Sequence, residues 1–314
     1  MRRPHTSSHH DATITCRRGV LSLVDKSWSE LLSSPSPAWD TVSIDSDQDF
    51  DSVVTATIAA AVVQWFSRRT DCIRCLQIVG EAPTLPANLL ATVLTLQSTS
   101  LRELHLGVGA TQLTPADLGI LTSLTALQWL TITLPAEGPT VSLWGEQGGA
   151  VMRAVSSLPA LTIVTIEKGL SYNETKSAVV LPSLSTLASL QSPTISELSV
   201  CLNCAGGSIC LGDLPALIRC RISITAINCD VVHVPVSAFE SALSMAELTI
   251  IGARWLTLDP TCLSSLSMLS VLKLWNCGLT HIPAALQGVR LSLRQLELID
   301  NCLDINQAGF DILL

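Results

Sequence analysis

The chain has 314 residues, of which 48% are hydrophobic and only 14% are charged, and its formal net charge is -8. This composition excludes an intrinsically disordered chain, which combines low hydrophobicity with high charge, and also a collagen-like or coiled-coil chain. With 18 basic against 26 acidic residues, the chain also lacks the clustered Lys and Arg of a broad nucleic-acid-binding surface.

The amino-terminal region shows neither a secretory signal nor a membrane span. Residues 1–10 are basic and rich in Ser and His, and no apolar stretch follows them directly. The longest apolar run, 53–66, covers 14 residues, whereas a membrane span needs about 20, so it predicts a buried helix. We predict a disordered tail over 1–13, no membrane partner and a cytoplasmic protein, with nuclear or cytoskeletal (axonemal) localisation as the alternative.

The segment 14–70 has a pattern of its own. Residues 21–44 contain Leu-Val-Asp-Lys-Ser-Trp ending at Trp28, then a Pro and Trp39, and they resemble the second half of an F-box. The resemblance implies a small helical cap over 14–70, including a linking helix, and a Skp-type adaptor as a partner in a ubiquitin ligase. The Leu-Pro dipeptide that opens the family's first half has no counterpart in residues 1–19. The alternative is that the two Trp side chains only cap the open apolar end of the domain that follows.

From residue 73 onward the chain repeats a pattern of three apolar anchors. Residues 269–279 fit L-x-x-L-x-L-x-x-(N/C)-x-L, and residues 293–303 fit it again, with Cys277 and Asn301 at the polar position. Looser matches give nine units whose starts lie 22 to 34 residues apart. Their anchors are Ile73/Leu76/Ile78, Leu101/Leu104/Leu106, Leu127/Leu130/Ile132, Leu161/Val164/Ile166, Ile195/Leu198/Val200, Leu217/Cys220/Ile222, Met245/Leu248/Ile250, Leu269/Leu272/Leu274 and Leu293/Leu296/Leu298. Cys220 is thereby predicted to be a core anchor, and Cys277 a polar turn residue.

This pattern resembles the leucine-rich repeat family. The resemblance implies one short strand in each unit, a helical or irregular return, and stacking into a curved solenoid with a parallel sheet on its concave side. We predict the fold class as α/β, a leucine-rich-repeat solenoid over 71–314 behind a small helical amino-terminal cap. Within it, 86–94 and 115–121 begin with Pro and predict helices, and 135–149 predicts a surface loop.

The sequence contains no recognisable catalytic or metal-binding pattern. The six His are scattered, and H-E-x-x-H, G-x-S-x-G and P-loop motifs are missing. Two C-x-x-C pairs, Cys72/Cys75 and Cys201/Cys204, could each supply two zinc ligands, but 125 residues separate them and each lies in an apolar repeat segment. We therefore predict free thiols, no metal, no cofactor and no enzymatic activity. An enzyme with a site in the 135–160 loop is the alternative.

The repeat frame places polar side chains on one face of the predicted sheet. Side chains alternate along a strand, so the residue between the second and third anchors faces the concave side. These residues are Gln77, His105, Thr131, Thr165, Ser199, Arg221, Thr249, Lys273 and Glu297. Adjacent outward positions add Trp129, Arg219 and Trp275, residue types enriched in interface hot spots.

We predict that these twelve residues bind a protein partner, and that the chain is a binding module, the substrate-recognition arm of an F-box ubiquitin ligase. The alternative is a regulatory or scaffold protein of a cytoskeletal, axonemal or signalling assembly that binds no adaptor.

Overall fold

The structure is a computed structural model of the chain. It describes residues 12–16, 41–46, 63–64, 66–68, 73–79, 87–97, 99–107, 119–134, 148–168, 187–203, 207–225 and 231–304. None of the helices in these ranges combines the length and the apolar character that a membrane crossing requires.

Parallel strands dominate the described part of the chain. The strands are β1 (Ala12–Cys16), β2 (Thr41–Ser46), β3 (Cys75–Val79), β4 (Glu103–Leu106), β5 (Trp129–Leu134), β6 (Ile163–Lys168), β7 (Glu197–Asn203), β8 (Gly207–Ser208), β9 (Arg219–Thr225), β10 (Val232–Val234), β11 (Glu247–Ile251), β12 (Leu256–Leu258), β13 (Val271–Trp275) and β14 (Gln295–Glu297). Eleven of them form the main sheet, in the order β1-β2-β3-β4-β5-β6-β7-β9-β11-β13-β14. Strands β8, β10 and β12 form a second, smaller parallel sheet in the return segments.

The returns between strands are short helices or irregular chain. Helix α1 (Ala87–Leu96) confirms the helix predicted after Pro86, and two 3-10 helices occupy Val236–Phe239 and Ala284–Val289. Of the helix predicted over 115–121, the described residues 119–121 are helical. Helix α2 (Gly148–Ser156) begins with two glycines that the sequence assigned to a surface loop. The rest of that loop lies outside the described residues.

All nine predicted strand positions are confirmed by the strand register. The second anchors pair in one continuous row from Leu76 to Leu296, and the third anchors run in a parallel row from Ile78 to Leu274. The anchors of the first eight units are at most 6% exposed, whereas those of the ninth are partly buried. Each buried Leu or Ile contributes about 1.5–3 kcal/mol of hydrophobic stabilisation. Stacking of neighbouring units therefore creates the core.

The polar position of the motif closes the turn after the strand. The Nδ2 of Asn301 donates to the carbonyl oxygen of Leu274 at 2.7 Å, and its Oδ1 accepts the N–H groups of Cys277 and Leu279 at 3.0 and 3.2 Å. One unit earlier, the Cys277 thiol donates to the carbonyl oxygen of Ile250 at 3.4 Å. The prediction that Cys277 is a polar turn residue is therefore confirmed.

The residue just before that position adopts a left-handed backbone in three successive units. Its φ is 80° at Gly252, 51° at Asn276 and 55° at Asp300. Gly, Asn and Asp are the residues that adopt this conformation at the lowest cost. Gly278 also has a positive φ, and a Cβ there would collide with the carbonyl oxygen of Arg254. Repeated turn geometry thus accompanies the repeated sequence.

The amino-terminal segment differs from the prediction. Strands β1 and β2 lie in the stretch predicted to be a tail over 1–13 and a helical cap over 14–70, and they extend the main sheet. Val42 pairs with Leu76 and Ile44 with Ile78, so β2 continues the anchor register. Residues 63–64 and 66–67, in the predicted linking helix, are helical. The Trp residues of the F-box-like pattern lie outside the described residues.

One parallel strand per repeat, in-register anchors and the Cys or Asn turn together define the architecture. The fold is a leucine-rich-repeat solenoid.

Candidate functional site

The predicted polar residues form one continuous row across the main sheet. Register pairs join Gln77 on β3 to His105 on β4, and so on strand by strand to Glu297 on β14. Because the row occupies alternate strand positions from the buried anchors, it lies on the face opposite the core. Trp129 and Arg219 belong to a second row, two positions earlier on each strand, and Trp275 to a third, two positions later. We call the surface formed by these three rows the ladder face.

Two of the predicted contact residues offer little surface. Thr131 is 9% exposed and Thr249 is 6% exposed. Thr249 pairs in register with Arg221 on one side and Lys273 on the other, both of which have longer side chains. The predicted role of both Thr residues as partner contacts stays a prediction, and the surface that each could offer a partner is small.

Most of the charged side chains on this face are already paired with one another. Arg219 forms an ion pair with Glu197 on the neighbouring strand. The Nζ of Lys273 lies 3.3 Å from Glu247 Oε1 and 3.9 Å from Glu297 Oε1. The Lys273 pairs are partly buried, whereas Arg219 is exposed, and exposed pairs contribute only about 0–1 kcal/mol each to stability. Their main effect is on the distribution of charge over the ladder face, and their contribution to the stability of the fold is small.

Trp275 is fixed on the ladder face by residues of two strands. Its Nε1 donates to Glu297 Oε2 at 3.1 Å, and the Nζ of Lys273 lies 5.9 Å from its ring centroid, within the range of a cation–π contact. The side chain is half-buried. It keeps an accessible aromatic surface in a defined position.

Arg221 differs from the other two described cations of the ladder face, Arg219 and Lys273, which are both paired. Its side chain is exposed, and within the described ranges it makes no salt bridge. Its register neighbours in the central row, Ser199 and Thr249, are uncharged. A shallow hollow surrounds it, lined by Ile163, Val164, Thr165, Glu197, Leu198, Ser199, Arg219, Cys220, Arg221, Glu247, Thr249, Lys273 and Trp275. The structure therefore brings seven of the twelve predicted site residues to one place.

A second cluster lies at the β3–β4 end of the ladder face. Cys75 pairs in register with Glu103, and His105 lies two residues further along β4. The ring of His105 meets that of Trp129 edge-on, with 5.3 Å between centroids and an interplanar angle of 62°. Burial, followed by the nearby charge of Glu103, raises the pKa of the Cys75 thiol to about 11. Burial also lowers the pKa of His105, although the charges of Glu103 and Glu167 oppose the shift.

Sequence reasoning placed His105 on the exposed face but missed its proximity to Cys75. The signal was available, because the repeat frame aligns residue 76 with 104 and hence Cys75 with Glu103. Of the two C-x-x-C pairs, Cys75 and Cys201 are buried, and the second Cys of each pair lies outside the described residues.

Comparison with known proteins yields similarity of structure without similarity of sequence. No protein-family model and no curated protein matches the chain. A leucine-rich-repeat protein of Leptospira interrogans is 13% identical over 91% of this chain and 72% of its own, with a TM-score of 0.40. The mouse RP105/MD-1 complex is 13% identical over 87% of this chain and 52% of the matched chain, with a TM-score of 0.38. The Drosophila Toll–Spatzle complex is 13% identical over 93% of this chain and 43% of the matched chain, with a TM-score of 0.32. The chain thus spans about half of the matched RP105/MD-1 chain, and less of the Toll–Spatzle one.

Proposed function

We propose that the chain is a non-catalytic protein-binding module that recognises its partner on the ladder face. The observation that supports this most directly is Arg221, an exposed guanidinium without a salt bridge to any described residue, set in a hollow whose other cations are paired. Hydrogen bonds between a guanidinium and a carboxylate are about twice as strong as neutral ones. A partner carboxylate can bind Arg221 without first breaking an ion pair.

The two tryptophans define the extent of the proposed contact. Trp129 on β5 and Trp275 on β13 are separated by five strand spacings, about 24 Å at roughly 4.8 Å each, and by four residues, about 13 Å, along the strand direction. Arg221 on β9 lies between them. An extended partner segment that crosses the strands diagonally would span the resulting distance of about 27 Å with about eight residues. The proposed ligand is therefore a protein segment that carries a carboxylate between two apolar or aromatic side chains.

Site-specific photo-crosslinking tests the proposal. A photoreactive residue placed at Ser199, which lines the hollow beside Arg221 and leaves the guanidinium in place, should capture a partner in cells, whereas the same residue at Gln287, exposed on the 3-10 helix of a return segment, should not. Capture of the same protein at both positions would contradict recognition by the ladder face.

The captured partner then allows a matched charge reversal. Arg221→Glu should weaken its binding by about ten- to a hundredfold, the equivalent of a charge-assisted hydrogen bond lost. Arg290→Glu, an equally exposed Arg on a return segment, should leave affinity unchanged. Equal losses from both substitutions would point to a general effect of net charge.

The finer form of this proposal is the substrate-recognition arm of an F-box ubiquitin ligase in the cytoplasm. Its support is the resemblance of residues 21–44, and a Skp-type adaptor would be the second partner. Co-purification of that adaptor with the full chain, and its loss in Trp28→Ala, would support the ligase arm. If no adaptor is recovered while crosslinking at Ser199 succeeds, the module belongs instead to a regulatory or scaffold assembly.

A further inference from the structure

We propose that Cys75, Glu103 and His105 form a Zn²⁺-binding site at the β3–β4 end of the ladder face. This goes beyond protein recognition and does not depend on it. It also departs from the expectation of no metal, which weighed the C-x-x-C pairs and did not consider residues on adjacent strands.

The geometry of the parallel sheet brings the three side chains together. Cys75 and Glu103 are register partners on adjacent strands, and His105 lies on the same face of β4, one pleat further. The possible ligand atoms of the three residues all lie within 4.8 Å of one another. Tetrahedral Zn²⁺, with bonds of about 2.0–2.3 Å, requires ligand atoms about 3.4–3.6 Å apart. Side-chain rotations that move these atoms by about 1 Å would therefore close the site, without a change in the backbone.

The chemistry of the ligand set selects the metal. A thiolate and an imidazole favour Zn²⁺ over Mg²⁺ and Ca²⁺, which prefer oxygen ligands. Cys75 is only 8% exposed, while Glu103 and His105 are half-buried. Three protein ligands leave one tetrahedral position, which would face the exposed side of the sheet. Water or a side chain from a bound protein would complete the coordination.

Neighbouring residues already support the ligands. The Nε2 of Gln77 lies 3.9 Å from Cys75 Sγ as a hydrogen-bond donor, and such a bond stabilises a sulfur that carries negative charge. The edge contact between Trp129 and His105 restrains the imidazole. Such outer contacts orient metal ligands, and removing one typically lowers affinity by about 10–100-fold.

Cobalt binding to the reduced, metal-stripped full chain tests the site. We expect one equivalent of Co²⁺ to produce a thiolate-to-cobalt charge-transfer band, and one equivalent of Zn²⁺ to abolish it. Cys75→Ser should remove the band, and Glu103→Gln and His105→Gln should each weaken Co²⁺ binding at least tenfold. Cys302→Ser, which changes an exposed free thiol, should retain the band.

Two further controls separate this site from the other candidate ligands. The amino-terminal histidines can bind metal but give no thiolate band. Cys72→Ser should leave the band unchanged, because the C-x-x-C pair is not the proposed ligand set. His105 is half-buried, so His105→Gln should fold normally, as its circular dichroism spectrum would verify. The proposal is overturned if the wild type shows no thiolate band, or if Cys72→Ser loses the band while His105→Gln keeps it.

Discussion

Truncation of one core anchor tests the repeat frame most directly. Leu272 is fully buried on β13, in register between Leu248 on β11 and Leu296 on β14. Leu272→Ala removes three carbons, which at about 0.8 kcal/mol per buried CH₂ costs about 2.4 kcal/mol in transfer free energy. The cavity left among packed neighbours adds to this, so the expected loss of unfolding free energy is about 3–5 kcal/mol.

Leu296→Ala is the matched comparison on the next strand. The sequence frame predicts a loss of about 2–5 kcal/mol at both positions. In the structure Leu296 is only partly buried, because β14 is the outer strand of the described sheet, so we now expect about 1–2 kcal/mol. Urea unfolding of both variants, followed by circular dichroism, measures the difference. A loss below about 0.5 kcal/mol at Leu272, or a larger loss at Leu296, would refute the frame.

Three other predictions follow from single interactions. Asn301→Ala should cost about 1–3 kcal/mol in urea unfolding, because it leaves one carbonyl and two N–H groups without their partner; an unchanged midpoint would contradict the turn role. Burial raises the pKa of the Cys220 thiol from its usual value of 9.0 to about 12. Above about pH 9 the unfolded state therefore binds fewer protons than the folded state, and stability falls as pH rises. Cys220→Ala should flatten that decline in thermal melts, and an equal slope in both proteins would argue against it. Trp275→Ala should cost about 2 kcal/mol of partner affinity and less than about 1 kcal/mol of stability; loss of melting temperature with intact affinity would reduce Trp275 to a structural role.

The strands could be predicted from the sequence wherever the anchor residues recur at regular positions. The nine predicted strands all use large aliphatic residues or Cys at fixed offsets, and that pattern determines both strand position and register. β2 was missed although Val42-Ser43-Ile44 has the same alternation, because its unit lacks Leu and lies beside a stronger resemblance to a helical family. A β-branched pair around one polar residue is a weak signal alone. Strand β2 is recognised as part of the repeat only because Val42 pairs in register with Leu76 in the structure.

The ladder face was predictable as a surface but not as a set of interactions. Alternation along a strand placed Arg221 and Lys273 correctly on the exposed side. It could not show that Lys273 contacts two Glu residues while Arg221 is left without a salt bridge among the described residues, because these outcomes depend on the reach of side chains across neighbouring strands. The same limit applies to Thr249, which lies at an outward strand position and is only 6% exposed.

The core anchors and the exposed residues of the ladder face lie in separate rows. Substitutions on the ladder face can therefore change binding without changing the stability of the fold. The anchors carry about 1.5–3 kcal/mol each through burial, while each exposed ion pair on the ladder face carries about 0–1 kcal/mol. Because adjacent residues on one strand point to opposite faces, Arg221 can be reversed in charge without moving Cys220 or Ile222 from the core. A loss of binding in Arg221→Glu at unchanged stability would therefore report on recognition itself. The same reasoning applies to His105, whose neighbours on β4 are the buried anchors Leu104 and Leu106.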